Sequence, residues 1–169
     1  AIHNEQFISN KLPSVDTGKQ CILGYLRADS EDDYYNFLKR SGYLEKDKEF
    51  YFYYYAIKDG YVYSHHKDIA RINKFRFYTN PISKTQTYQI EPVLCSVIDR
   101  SLISKQSLID LLKDKGYTNN KPHSTDFYYV LHLKVEDENS PVEPLTVKYV
   151  ESVYGNDTFS PNSPKIIDL

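Results

Sequence analysis

The chain has 169 residues, 40% hydrophobic and 26% charged, with a formal net charge of −2. That is enough apolar material for one packed domain, too few residues for two ordinary ones, and the wrong balance for wholesale disorder or a histone-like polycation. No apolar run approaches the roughly 18 residues a membrane-spanning helix needs, and two cysteines cannot build a disulfide-held mini-protein.

Residues 1–18 show no sustained period and end at Pro13 and Gly18. Residues 20–27 read as a strand. Ser30 followed by Glu31, Asp32 and Asp33 reads as an N-cap with acids in the first turn, where the helix dipole favours them. Tyr34, Phe37 and Leu38 then share one helical face, Lys39 and Arg40 suit the C-terminal turn, and Gly42 suits the position after it. Residues 49–57 form a long strand with aromatic residues on both faces. Asp59-Gly60 signals a hairpin, so residues 61–64 should pair back on that strand. Residues 65–73 fit one or two helical turns. Residues 74–78 alternate as a strand, with Phe75 and Phe77 on one face and Lys74, Arg76 and Tyr78 on the other.

Pro81 ends that strand. Residues 87–98 read as the next, with Pro92 marking an edge or a bulge. Ser104 should cap an amphipathic helix whose buried stripe is Leu108, Ile109, Leu111 and Leu112, ending at Gly116. Residues 126–135 are the clearest strand, with Phe127, Tyr129, Leu131, Leu133 and Val135 pointing inward. An exposed acidic turn at Glu136, Asp137 and Glu138 and a last strand over 145–150 complete the pattern. Two main helices and six or seven strands give an α+β domain. Its expected core is a strongly curved mixed or antiparallel sheet, or a small β-barrel. The domain is expected over 1–154. Residues 155–169 read as a tail of Pro, Ser and Asn leading toward a further domain. The chain has no Met. Ala1 is therefore expected to follow a removed start or to begin an excised part of a longer protein.

Tyrosine is overused: 17 Tyr and eight Phe, with no Trp. Tyr favours strands and pairs an apolar body with a polar tip. Its abundance predicts broad half-buried sheets, or a face that stacks flat ligands. Cys21 and Cys95 fall in apparent strands and read as small buried hydrophobes.

The charge is uneven. Residues 58–84 hold six Lys and Arg against Asp59 and Asp68, a balance of +4, whereas residues 86–169 hold eight against twelve acids, a balance of −4. Cations interleaved with aromatic rings suit nucleic acid, because cations neutralise phosphates and ring faces stack bases. The candidate nucleic-acid contacts are Lys67, Arg71, Lys74 and Arg76 for phosphates, and Tyr61, Tyr63, Tyr78 and His66 for bases. The bland counterpart is a solvated strand face, with Lys and Arg stems lying over packed Tyr rings.

No catalytic residue, cofactor or metal is indicated. His65-His66-x-Asp68 lacks a third ligand at useful spacing, and adjacent residues on a strand face opposite ways. No strand carries the acids and lysine of a metal nuclease.

Two resemblances are readable. Gly24-Tyr25-Leu26-Arg27 with Ser30, and Ile98-Asp99-Arg100 before a Leu-rich helix, resemble serine recombinases. Here Ser30 departs from the Arg-x-Ser spacing and the Tyr-rich hairpin does not match. The order of Tyr-rich strand, Gly hairpin, basic helical segment and aromatic strand resembles small barrels of the PUA superfamily, including EVE- and YTH-type readers of modified bases. That resemblance is by analogy of architecture only.

The leading expectation is a non-catalytic nucleic-acid-binding module of a larger cytoplasmic DNA- or RNA-processing or restriction-type protein, reading modified or flipped bases. Two alternatives compete: a secreted or surface Tyr-rich domain for carbohydrate or protein, with a Cys21–Cys95 disulfide, and a metal-dependent nuclease or recombinase-like fragment.

Overall fold

The computed structural model describes residues 20–28, 30–55, 57–58, 61–62, 69–79, 87–88, 90–118, 127–140, 145–146 and 164–168. In chain order the elements are β1 (Gln20–Tyr25), α1 (Tyr34–Arg40), β2 (Glu49–Tyr55), β3 (Ile57–Lys58), β4 (Tyr61–Val62), β5 (Lys74–Tyr78) and β6 (Thr87–Tyr88). Then follow β7 (Leu94–Ser104), α2 (Lys105–Asp114), β8 (Phe127–Asp137), β9 (Leu145–Thr146) and β10 (Lys165–Asp168). Six strands make one mixed sheet in the order β10-β1-β5-β7-β8-β2. Its β1–β5 pair is parallel and the other pairs are antiparallel. β3–β4 and β6–β9 are separate two-stranded pieces.

The expected α+β class and strong curvature are both present; the small barrel is not. The sheet stays open, with β10 and β2 as its edges. It nevertheless curls far. β1 and β2 are not hydrogen-bonded neighbours, yet a Cβ on Gly24 of β1 would lie 2.7 Å from ring atoms of Phe52 of β2 and of Phe75 of β5. Phe52 and Phe75 sit with ring centroids 4.9 Å apart. Gly24 therefore has a packing reason to lack a side chain: it lets the inner face fold onto itself. Curling places β2, β5, β7 and β8 around one aromatic and aliphatic core.

α1 starts later than the sequence suggests. Its N-cap is Asp33, not Ser30, and its first turn holds no acid. Instead the Ser30 N–H donates to Asp33 Oδ2 at 2.8 Å, so Ser30 and the acids form a turn before the helix. Gly42 has φ +78°, the left-handed conformation that suits the position after a helix. α2 matches expectation more closely. The Ser107 N–H donates to Ser104 Oγ, Leu108 and Leu112 are fully buried, and Gly116 has φ +97°. Ile109 and Leu111 of the expected stripe are half-buried.

The expected strand over 87–98 is split: β6 pairs with β9, and β7 begins after Pro92 and runs on to Ser104. In β8, Tyr128 and Val130 are buried along with Tyr129, Leu131, Leu133 and Val135. Both faces are covered at the Tyr128–Val130 end of the strand, which alternation alone does not reveal, while His132, Lys134 and Glu136 farther along stay half-buried. The hairpin closes as Ile57↔Val62 and Lys58↔Tyr61, with β3 rather than β2 as partner. The stretch expected to lead outward carries β10, which pairs with β1 as Cys21↔Ile167 and Ile22↔Ile166. Of the last expected strand, residues 147–150 lie outside the described residues.

Tyrosines supply much of the packing. Among the described tyrosine side chains none is exposed. Their hydroxyls reach backbone carbonyls: Tyr34 donates to Tyr51 at 2.7 Å and Tyr43 to Lys115 at 2.8 Å. These bonds let a polar tip be buried at little cost.

Tyr35 and Glu91 tie α1 to the segment before β7. Burial, and then Glu91, push the Tyr35 phenol up to about 12. Burial also raises the Glu91 carboxyl above its ordinary value, partly offset by the Tyr35 hydrogen bond and the Lys39 charge. A carboxyl raised on folding contributes stability below its unfolded pKa and loses it as pH rises through the folded value. Glu91→Gln should therefore match the wild type at acid pH and gain stability relative to it toward neutrality. Urea denaturation across pH checks this, and a constant difference would contradict it.

Candidate nucleic-acid interface

The structure divides the basic aromatic window. Lys67, His66 and Tyr63 lie outside the described residues, and Tyr61 is described by its backbone in β4 alone. Arg71, in the turn before β5, is exposed. Lys74 opens β5 and is 30% exposed, Arg76 is 6% exposed, and Tyr78 is 3% exposed.

The reason is that the second face of β5 is covered. Sequence alternation puts Lys74, Arg76 and Tyr78 on one face, which is correct, but only the Lys74 end of that face meets water. Tyr78 packs on Tyr25, 5.2 Å between ring centroids, within a small cluster that includes Cys21, Leu23, Ile90 and Ile167. Arg76 Nη2 donates to Ser140 Oγ at 2.8 Å, which satisfies part of a guanidinium otherwise costly to bury. Ser140 is itself held, its N–H donating to the Pro92 carbonyl at 2.8 Å. The solvated face of the bland reading is thus absent at Arg76 and Tyr78, and neither offers a ligand an open side chain.

Lys74 sits at the rim. Its Nζ lies 2.7 Å from Glu136 Oε1 and 2.6 Å from Oε2. The Ser96 hydroxyl, on the strand between them, also donates to Oε1. Burial raises the Glu136 carboxyl, but the hydrogen bonds from Lys74 and Ser96 and the Lys74 charge outweigh it, and the net shift is downward. Glu136 and Asp137 are part of β8 rather than of a free acidic turn. Sequence reasoning places Glu136 in an exposed acidic turn, without its Lys74 contact, and does not single out Ser96 or Ser140. Glu136 and Lys74 are 62 residues apart, and only the strand order β5-β7-β8 joins them.

The same face carries a mixed patch farther along, toward β2, where Glu49 stands opposite Lys134 and Tyr51 opposite His132. His132 Nε2 lies 2.8 Å from Glu49 Oε1, and its ring is 4.8 Å from that of Tyr51. Lys115 Nζ lies over Tyr51 and Tyr43, 5.4 and 5.5 Å from the ring centroids. His132 is half-buried. Among the described residues, no group of three or more His, Cys, Asp and Glu side chains is placed to hold a metal ion.

The two cysteines are buried, and no disulfide joins them as the secreted alternative expects. They belong to different packing clusters, Cys95 opposite Phe75 on the inner face and Cys21 beside the inward Ile22 on the outer. Burial pushes the Cys95 thiol far up, with Glu136 adding and Arg76 opposing, so it is a poor nucleophile. The residues resembling serine recombinases are not gathered. Arg27 follows β1 near the Tyr78 end of β5, while Arg100 is buried and donates to Ile72 and Asn73 at the opposite end. No protein-family model, curated protein or solved structure matches the chain. No helix among the described residues is long and apolar enough to cross a membrane.

Proposed function

We propose that this chain is a non-catalytic nucleic-acid-binding module of a larger intracellular protein. The observation that carries this reading is a basic rim that stays at the surface. Arg71 is exposed, Lys74 is partly exposed three residues later, and both follow the β3–β4 hairpin. Phosphate contact is therefore assigned to Arg71, with Lys74 at the margin; the sequence pattern adds Lys67 for phosphate and Tyr61, Tyr63 and His66 for bases. Arg76 and Tyr78 support the fold instead. The finer form, a reader of modified or flipped bases resembling the PUA and EVE types, draws on the curled sheet and the hairpin alone.

The test is fluorescence anisotropy with labelled single-stranded DNA, duplex DNA and RNA. Arg71→Ala combined with Lys67→Ala should weaken binding to the preferred class. Each lost phosphate contact should flatten the plot of log affinity against log salt by about 0.7–0.9. Unchanged affinity and slope would remove these residues from the interface.

A further inference from the structure

Lys74 carries a positive charge that the proposed interface can use, but Glu136 already occupies it. Both carboxylate oxygens lie within hydrogen-bond distance of the ammonium, and Ser96 donates to one of them. An ammonium and a hydroxyl converging on two oxygens that share a negative charge is also the chemistry that holds a phosphodiester. Lys74 is 30% and Glu136 35% exposed, so a ligand arriving from solvent can reach both. An ion pair this exposed is screened and readily exchanged for another. Lys134 stands opposite Ser96 in the β7–β8 register, two residues before Glu136 on the same face. With Glu136 withdrawn, Lys74, Ser96 and Lys134 would present two cations and a hydroxyl from three adjacent strands, with Glu49 opposite Lys134 on the fourth. Arg76 offers no such reserve, because releasing it from Ser140 means opening a buried site.

We infer that Glu136 is an internal phosphate mimic, an autoinhibitory contact that a nucleic-acid phosphate displaces from Lys74 and Ser96. This rests on the nucleic-acid reading above and names how that interface is held in check.

The experiment compares the full chain with Glu136→Gln, Glu138→Gln, and Lys74→Ala in both the wild-type and Glu136→Gln backgrounds. The probe is labelled single-stranded DNA, duplex DNA or RNA, whichever the wild type prefers. Glu138 is exposed and matches the charge change without the Lys74 contact. Glu136→Gln should bind about five- to tenfold more tightly, with a salt slope steeper by about 0.7–0.9, the signature of one added phosphate contact. Glu138→Gln should gain far less, and Lys74→Ala should cost more in the Glu136→Gln background than in the wild type. Equal gains from the two Gln variants, or equal Lys74→Ala losses in the two backgrounds, overturn the inference. So does wild-type binding that Glu136→Gln leaves unchanged, although the interface at Arg71 then stands. Absence of binding by wild type and Glu136→Gln at low salt overturns both. Should Glu136→Gln not fold, the wild type carries the test: saturating nucleic acid should shift the Glu136 carboxyl NMR resonance as it leaves Lys74, and an unmoved resonance overturns the inference.

Discussion

Phe75→Ala should lower the free energy of unfolding by about 3–5 kcal/mol, measured by urea denaturation. Phe75 is fully buried in the short strand β5. Its backbone stands beside Ile22 of β1 and Cys95 of β7, and its ring packs on Phe52 of the distant edge strand β2. Truncation removes the transfer free energy of the ring and leaves a cavity where strands from both ends of the sheet converge. β5 is backed by neighbours on either side, so the site has little freedom to collapse. A loss below about 1 kcal/mol would mean that the cavity closes freely, against the close packing expected of such a core.

Gly24→Ala should cost about 1–3 kcal/mol, the range for forcing extra volume into a packed core. The added methyl would lie 2.7 Å from Phe52 and Phe75 ring atoms, too close for contact without movement. Those rings are buried, so they move only by disturbing their own neighbours. Phe52→Leu in the Gly24→Ala background should return part of the loss, because a shorter side chain vacates the contested space. Additive losses in that double-mutant cycle would show that β1 and β2 do not meet through these residues.

Much of the fold was legible where local chemistry decides it. The Ser104 cap, the Leu108 and Leu112 stripe and the inward residues of β8 follow from hydrogen bonding and periodicity within one segment. The α1 start was misread because Ser30 and three acids satisfy a turn as readily as a first helical turn. The site was less legible. Alternation along β5 grouped Lys74, Arg76 and Tyr78 correctly but could not tell a solvated face from a covered one. That distinction depends on Ser140, Ile90 and Ile167, which reach β5 from remote parts of the chain. Nor does the sequence give the register that aligns Lys74, Ser96 and Lys134 across three strands, or the irregularity at Glu136 beside which its carboxylate meets Lys74 and Ser96. β10 was read as part of an outward tail because its neighbours are Pro, Ser and Asn, although its two isoleucines fit a strand lying beside β1.

The most direct measurement is anisotropy of the unaltered chain with single-stranded DNA, duplex DNA and RNA as salt rises from about 50 to 200 mM, the range over which phosphate contacts show themselves. The chain should bind one class of nucleic acid in preference, with an affinity that weakens steeply with salt. No binding to any of the three at about 50 mM would contradict it, and would reduce Arg71 and its neighbours to ordinary charged surface.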